Sequence, residues 1–291
     1  MDKIARSLGT HDGSFHADEV VACALLLLFN LIDMDKIVRT RDEERLEQCE
    51  YVCDVGGVYD KQTKRFDHHQ AEYSGLLSSA GMIWLYLKEE GVADQGLYDF
   101  FNHALILGVD AHDTGLSPQI DGLCTFSHVI SNFLPPEYDP PPQEQARAFF
   151  SALEFARGHL QRLKERYRAI FRAREKMQKA METGREYLLL DEALPWLENF
   201  FALGGERHSA LFLVMPVGGH WKLRALPPTL LRRMEVRSFL PEEWAGLHDK
   251  ELRRASGIPG AIFCHKGRFT SVWETKEDAL KALEIVLKRR S

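Results

Sequence analysis

Residues 9–19 of this chain, GTHDGSFHADE, concentrate metal-ligand chemistry in one short stretch. His11, His16 and Asp18 lie on a glycine-containing turn between a short strand-like run and a long apolar helix. Imidazole nitrogen and carboxylate oxygen are the donors that manganese, iron and zinc accept together. Taken alone, the stretch also allows His11 and Asp12 to be turn residues, with Asp18 favouring the positive end of a helix dipole. Asp67-His68-His69 is a second cluster. A carboxylate with two adjacent imidazoles can place one of them on a metal and leave the other to hydrogen-bond a developing charge or pass a proton. An isolated run of this kind reads more readily as a polar surface turn. Its coexistence with His11, His16, Asp18, Asp54 and Asp110 reverses that balance. Together these residues supply donors for two neighbouring divalent ions with one carboxylate bridging them. Two ions about 3.5–4 Å apart activate water and clamp a phosphoryl group during in-line displacement.

The elements between these residues must bring them together. Residues 3–8 read as a brief first strand, and the helix after Asp18 is apolar nearly all round, from Val20 to Phe29. A helix of that kind belongs packed against a sheet. Residues 36–40 read as a strand, 42–48 as a short helix and 51–55 as a strand that leaves Asp54 near its carboxyl end. Residues 57–66 form a small hairpin with its turn at 60–64, leading into Asp67. An amphipathic helix over 79–90 is closed by Gly91, and another from 97 to about 109 delivers Asp110. This alternation predicts an α/β domain over 1–142, a mostly parallel sheet with helices on both faces. Such sheets bind ligands outside the carboxyl ends of their strands.

Residues 117–142 are irregular and end in the proline-rich run PPEYDPPP. Over 143–183 the apolar residues Phe149, Leu153, Ala156, Leu160, Leu163, Tyr167 and Ile170 step by four and three, a heptad seam. A helix of about 40 residues and about 60 Å cannot bury such a seam against itself. It either braces two domains or pairs with a second subunit, which leaves a homodimer open. Residues 184–291 read as a smaller α+β domain, with strands at 187–190, 210–215, 221–226, 261–264 and 269–273. Its helices fall at 194–201, 242–256 and 276–288. Within the loop at 227–241, Arg232, Arg233 and Arg237 read as surface charge.

At 291 residues, with 45% apolar and 27% charged side chains, this is an ordinary globular composition with room for two domains. A formal charge of −6 argues against a surface devoted to duplex nucleic acid and leaves room for a local basic channel. Five cysteines without a CxxC pair fit reduced cytosolic thiols better than disulfides or a zinc knuckle. The longest apolar run, 20–32, has 13 residues and is too short for a membrane span. The start, MDKIARS, lacks the layout of a secretory signal. The expectation is a cytoplasmic protein with no membrane association.

The order GTHDGSFHADE, then Asp54 after a strand, then DHH at 67–69, then GVDAHDTG at 108–115, resembles the four-motif layout of the DHH phosphoesterase superfamily. More closely, GTHDGSFHADEVVACALL, KRFDHHQ and LPEEWAGL…SGIPGAIFCHKGRF resemble the melanocyte-proliferating-gene family, an uncharacterised family also described as metal-dependent hydrolases. The resemblance implies a two-domain protein whose metal site faces the cleft between its domains. The superfamily's first motif is typically His-x-x-x-Asp-x-Asp. Here His11 is followed by one extra residue, and His16 stands where the first aspartate would be. An imidazole there favours manganese, iron or zinc over magnesium.

By matching positions, the resemblance implies that His11, His16 and Asp54 hold one ion. Asp18, Asp54, His68 and Asp110 hold the other, with Asp54 bridging. His69 becomes the adjacent electrophile or general acid, and Asp67 orients a ligand imidazole. His112 and Asp113 receive no role, only a place at the surface or beside a ligand. Substrate contacts are expected from His265, Lys266 and Arg268, and from Arg224 on a neighbouring strand, because cationic and imidazole donors suit a phosphate.

The expectation is therefore a metal-dependent phosphoesterase using two divalent ions, manganese first, to activate the attacking water. Its substrate would be RNA or an oligonucleotide cut 3′–5′ from an end, as family members are described. The alternatives are a small-phosphate hydrolase, such as a pyrophosphatase or nucleotide phosphatase, and a non-catalytic binding protein stabilised by metal.

Overall fold

The structure, a computed structural model, describes residues 3–289. The N-terminal part runs β1 (Ile4–Thr10), α1 (Ala17–Leu28), β2 (Ile37–Arg39), α2 (Glu43–Glu47), β3 (Cys49–Cys53), β4 (Tyr59–Asp60) and β5 (Arg65–Phe66). It continues with α3 (Ser79–Glu89), α4 (Gln95–Phe101), α5 (Leu107–Asp113) and α6 (Phe126–Ser131), and then enters α7 (Pro142–Met181). The strands form one sheet in the order β2-β1-β3-β5-β4. β1 pairs in parallel with β2 and β3, β3 pairs in parallel with β5, and only the edge strand β4 is antiparallel.

From Val20 onward α1 is apolar on every face because it sits in the core; its residues from Ala17 to Leu26 are all buried. It packs with Leu8, Ile37, Tyr51, Cys53 and Phe66 and with α3 on one face of the sheet. The opposite face meets the short α2, whose Leu46 packs on Cys49 and Val52. Gly9 makes that approach feasible, since a Cβ there would lie 2.7 Å from Leu46 Cδ2. The crossovers through α1 and α2 thus lie on opposite faces, and the switch point falls between the carboxyl ends of β1 and β3. Open α/β sheets bind ligands at such a point.

Two local expectations change. The helix expected over 97–109 is α4 and α5 joined by a π-helical stretch, Asn102–Ile106, so Asp110 lies inside a helix and not after one. The irregular segment at 117–142 contains α6, which Thr125 caps by accepting from His128 N at 3.3 Å. Six residues with only Ser127 and Ile130 buried leave no readable period. The seam of α7 finds its partner within the chain. Phe149, Leu153, Ala156 and Leu160 are fully buried in the core of α1 and α3, and Tyr167 Oη donates to Asp94 Oδ1 at 2.9 Å.

The chain divides into two compact units between Tyr167 and Arg168, inside α7. Beyond α7 the second unit contains β6 (Tyr187–Leu189), α8 (Trp196–Ala202), β7 (Phe212–Val217), β8 (His220–Ala225), α9 (Asp249–Ser256), β9 (Ala261–Cys264), β10 (Thr270–Trp273) and α10 (Lys276–Lys288). Its sheet order is β6-β7-β8-β10-β9, parallel between β6 and β7 and antiparallel elsewhere. Trp244, Trp273, Leu223 and Leu283 are in its core.

Arg237 is not surface charge. Its guanidinium donates to the carbonyls of Pro227 (2.9 Å), His208 (2.7 Å), Ala210 (2.9 Å) and Gly205 (2.7 Å), tying the loop at 227–241 to the segment at 205–210. Hydrogen bonds to a charged group contribute about 1.5–3 kcal/mol. Arg237→Ala is therefore expected to destabilise the protein by about 2–4 kcal/mol, read as a lowered denaturant midpoint. An unchanged midpoint would count against this role.

Candidate metal centre

Each cluster sits where a strand ends. His11 follows β1, Asp54 follows β3 and Asp67 follows β5, and these three strands are consecutive parallel neighbours. Their carboxyl ends therefore bring the three loops to one edge. Asp54 turns the chain there with a left-handed φ of 57°, and it is buried. α1 then supplies Asp18 and Glu19 from its first turn, and α5 supplies Asp113 from its last.

Among the described residues three groups of donor atoms result, each with its atoms within 4.8 Å of one another. The first is His11, His16, Glu19 and Asp54; the second is Asp54, His68 and His69; the third is Asp18, His68 and Asp113. Asp54 joins the first two through different oxygens. Its Oδ2 lies 3.2 Å from His11 Nε2, while its Oδ1 lies 3.6 Å from His68 Nε2 and 3.4 Å from His69 Nδ1. His68 Nε2 also lies 3.0 Å from Asp113 Oδ2 and 3.9 Å from Asp18 Oδ2. Among the described residues, Asp54 Oδ1 and His68 Nε2 are buried with no hydrogen-bond partner. Leaving buried polar atoms unpaired is costly, and lone pairs converging from several carboxylates and imidazoles are what a divalent cation takes. The residues present fit a metal.

Supporting contacts fix the donors. His11 Nδ1 lies 2.9 Å from the Asp12 carbonyl oxygen, which sets the tautomer that leaves Nε2 as the ligand atom. Asp67 accepts from Gly57 N at 2.6 Å and from the His69 ring at 2.8 Å, so it orients His69 within the second group. Asp18 and Asp110 are both held by the amino end of α3. Ser79 N (3.0 Å) and Ala80 N (2.6 Å) donate to Asp18, and Ser78 N and Gly81 N (both 3.1 Å) donate to Asp110. Free N–H groups and the helix dipole make that end hospitable to carboxylates.

The charges are tightly coupled. Burial opposes protonation of His11, yet its contacts with Asp54 and Glu19 outweigh burial and raise its pKa to about 10. The Asp113 contact, then that with Asp54, raises His68 to about 10. Burial pushes Asp54 up, but His11 and His68 bring it down to about 2. Asp18, fully buried and facing Asp54 and Asp113, is raised well above the usual carboxylate range. Imidazolium groups and a divalent cation are alternative ways to meet this carboxylate charge, so a cation bound here would release protons.

Among the expected ligands, the structure brings His11, His16, Asp18, Asp54 and His68 into these groups. It does not place Asp110 in one. Asp110 Oδ1 faces Ser78 and Gly81, a Cβ at Gly81 would collide with its carboxylate, and burial raises its pKa to about 6. The carboxylate that reaches His68 from α5 is Asp113, for which the sequence offered no role. His112 packs edge-on against His128 instead. Glu19 is the other addition. It accepts His16 N at 2.9 Å and lies 3.0 Å from His11 Nε2, so it both caps α1 and joins the donors. The spacing of Glu19 three residues after His16 was the available signal.

In the second unit, Arg224 pairs opposite Thr270 in the β8–β10 ladder and lies 5.1 Å from the Phe269 ring centre, while its Nε has no hydrogen-bond partner among the described residues. His265 packs on Phe269 at 4.3 Å, Arg268 lies over Phe239 at 4.7 Å, and Lys266 is exposed.

A histidine–carboxylate centre at the switch point of a mostly parallel sheet defines an α/β protein whose clustered donors could hold divalent metal. The chain belongs to the MYG1 family: the profile MYG1_exonuc, described as "Uncharacterised protein family (UPF0160)", matches residues 7–287. It is similar to a "MYG1 protein" of Chlamydia muridarum, at 51% identity over 288 residues and 99% of both chains. It is also similar to the human "MYG1 exonuclease", at 33% identity over 326 residues, 98% of this chain and 86% of that one. A remoter likeness is to RecJ of Thermus thermophilus in complex with Mn2+, at 13% identity and a TM-score of 0.30, over 98% of this chain and 52% of RecJ. No helix among the described residues is long and apolar enough to cross a membrane.

Proposed function

We propose that this protein is a metal-dependent phosphoesterase acting as an exonuclease on RNA or short oligonucleotides, with two divalent ions, manganese foremost. The observation that carries the reading is Asp54, whose two oxygens face separate donor groups. His11, His16, Glu19 and Asp54 would hold one ion, and Asp18, Asp54, His68 and Asp113 the other. Bound ions would supply water activation and neutralisation of phosphate charge. His69, exposed and oriented through Nδ1 by Asp67, keeps Nε2 for a proton donated to the leaving oxygen. Arg224, His265, Lys266 and Arg268 are proposed as further substrate contacts; the unpartnered Nε of Arg224 supports that role. Relatives named MYG1 exonuclease support the nucleic-acid substrate.

The test uses purified protein, Mn2+ and an end-labelled oligoribonucleotide with its 3′ end free or blocked. Stepwise shortening from the free 3′ end is expected, abolished by a chelator and restored by Mn2+. Release of phosphate from pyrophosphate or mononucleotides alone would move the substrate to small phosphates. Protein that holds about two ions and cleaves nothing would overturn the enzymatic reading.

A further inference from the structure

A pocket of about 710 Å³ opens over the centre, and Arg41 is the single lysine or arginine among the described residues that line it. The other polar side chains of its lining are the carboxylates and imidazoles of the donor groups, together with Asp12, Ser14 and Asp67. Arg41 stands two residues beyond β2, at the same sheet edge as His11 and Asp54. Its backbone is held on both sides. Thr40 N donates to Thr10 O at 2.7 Å, which carries the β1–β2 ladder past the end of β2. Thr40 Oγ1 accepts from Asp42 N at 3.1 Å, and Asp42 in turn caps α2 by accepting from Arg45 N at 3.2 Å.

The side chain on this rigid mount is 66% exposed. Its ion-pair contact is with Asp12, itself 59% exposed, at 3.5 Å from Nε to Oδ1. Charge-assisted hydrogen bonds close to about 2.7–2.9 Å, so the guanidinium keeps its donors for a ligand. Arg39, two residues earlier, is the opposite case. It donates to Gly13 O at 2.6 Å and lies 4.6 Å from the Phe149 ring centre, which makes it a brace for the loop that carries His11 and His16.

We propose that Arg41 binds a substrate phosphate next to the one being cleaved, so that the site recognises a nucleotide chain and not a lone phosphate. The inference rests on the phosphoesterase reading of this same site. Ions held at the buried floor would take the charge of the scissile phosphate. A second phosphate, one link along the chain, needs a donor at the rim, and a planar guanidinium fits two of its oxygens at once. Asp12 is the counter-charge that the phosphate displaces.

The experiment compares Mn2+-loaded wild-type protein with Arg41→Gln and Arg41→Lys on two substrates, an oligoribonucleotide and bis(p-nitrophenyl) phosphate, which carries one phosphate only. For Arg41→Gln, KM on the oligonucleotide is expected to rise about tenfold to a hundredfold. Its kcat should stay within about twofold, and KM for the single-phosphate diester should not change. Binding of a phosphorothioate oligonucleotide, followed by anisotropy, should weaken by the same factor, and Arg41→Lys should recover part of it. Equal losses on both substrates, reduced metal content, or kinetics matching wild type would each overturn the role of Arg41 and leave the phosphoesterase reading standing. Wild-type protein that binds metal but neither cleaves nor binds any of these substrates would remove both.

Discussion

Asp54→Asn is expected to leave the protein folded, to lower its metal content by at least one ion per chain, and to cut phosphodiester hydrolysis about a thousandfold or more. The backbone reason for choosing asparagine is the φ of 57° at this position. Asparagine shares with aspartate the ability to occupy the left-handed region, which costs other side chains roughly 1–2 kcal/mol. The substitution therefore isolates the charge from the turn. What it removes is a carboxylate whose Oδ2 lies 3.2 Å from His11 and whose Oδ1 lies 3.6 Å from His68. An amide offers one oxygen, and its NH2 faces atoms that must accept a cation. Charge stabilisation by a bound ion is worth several kcal/mol, and about 4 kcal/mol corresponds to the expected thousandfold. Elemental analysis beside a hydrolysis assay reads the result. Full metal content with full activity would mean that Asp54 does not join the two groups. Asp54→Ala should show the same loss of activity together with a lower denaturation midpoint, since alanine adds the strain of the turn.

The second large effect separates Asp113 from Asp110. Asp113→Asn is expected to weaken the second ion by at least about a hundredfold, because it removes the carboxylate 3.0 Å from His68 Nε2. Asp110→Asn should keep both ions and most activity. Its side-chain oxygen can still accept from Ser78 N and Gly81 N, and burial already pushes the native carboxyl pKa up to about 6, so an uncharged isostere costs little. Asp110→Ala is different again. It leaves buried donors at the start of α3 unpaired, at about 1–3 kcal/mol for each such group, and should lower stability before it touches metal affinity. Metal titrations of the three variants, each with a denaturant curve, distinguish the roles. If Asp110→Asn loses metal as completely as Asp54→Asn, Asp110 belongs among the ligands after all.

Much of the scaffold was legible because it is written in local pattern. An apolar run with no polar face, Val20–Leu26, can only be a buried helix, and it is. The 57–66 hairpin, the short helix within 42–48 and the final helix follow from turn chemistry and period and appear where expected. Strands at 261–264 and 270–273 are likewise within a residue of the expectation. The misplacements share one cause: they depend on phase or partner, which neighbouring residues do not encode. The π-helical stretch Asn102–Ile106 re-phases α5 against α4 without any break in composition. α6 is too short to show a period. Arg237 looks like its basic neighbours Arg232 and Arg233, and only the carbonyls gathered around it set it apart.

Residue order alone carries the chemistry of this protein: imidazoles and carboxylates grouped at strand ends, on a parallel α/β scaffold. That much is local, because a strand's end and a ligand's type are properties of a few consecutive residues. Packing in three dimensions selects which carboxylates complete the groups, admitting Glu19 and Asp113 and turning Asp110 toward α3. It also covers the seam of α7 with the chain's own core, and it brings Arg41 rather than Arg39 to the pocket. The donor groups, each a few ångströms across, are assembled from the loops after β1, β3 and β5 and from α1 and α5. Which side chains converge there depends on the register and rotation of those elements, which packing sets after the sequence has formed them.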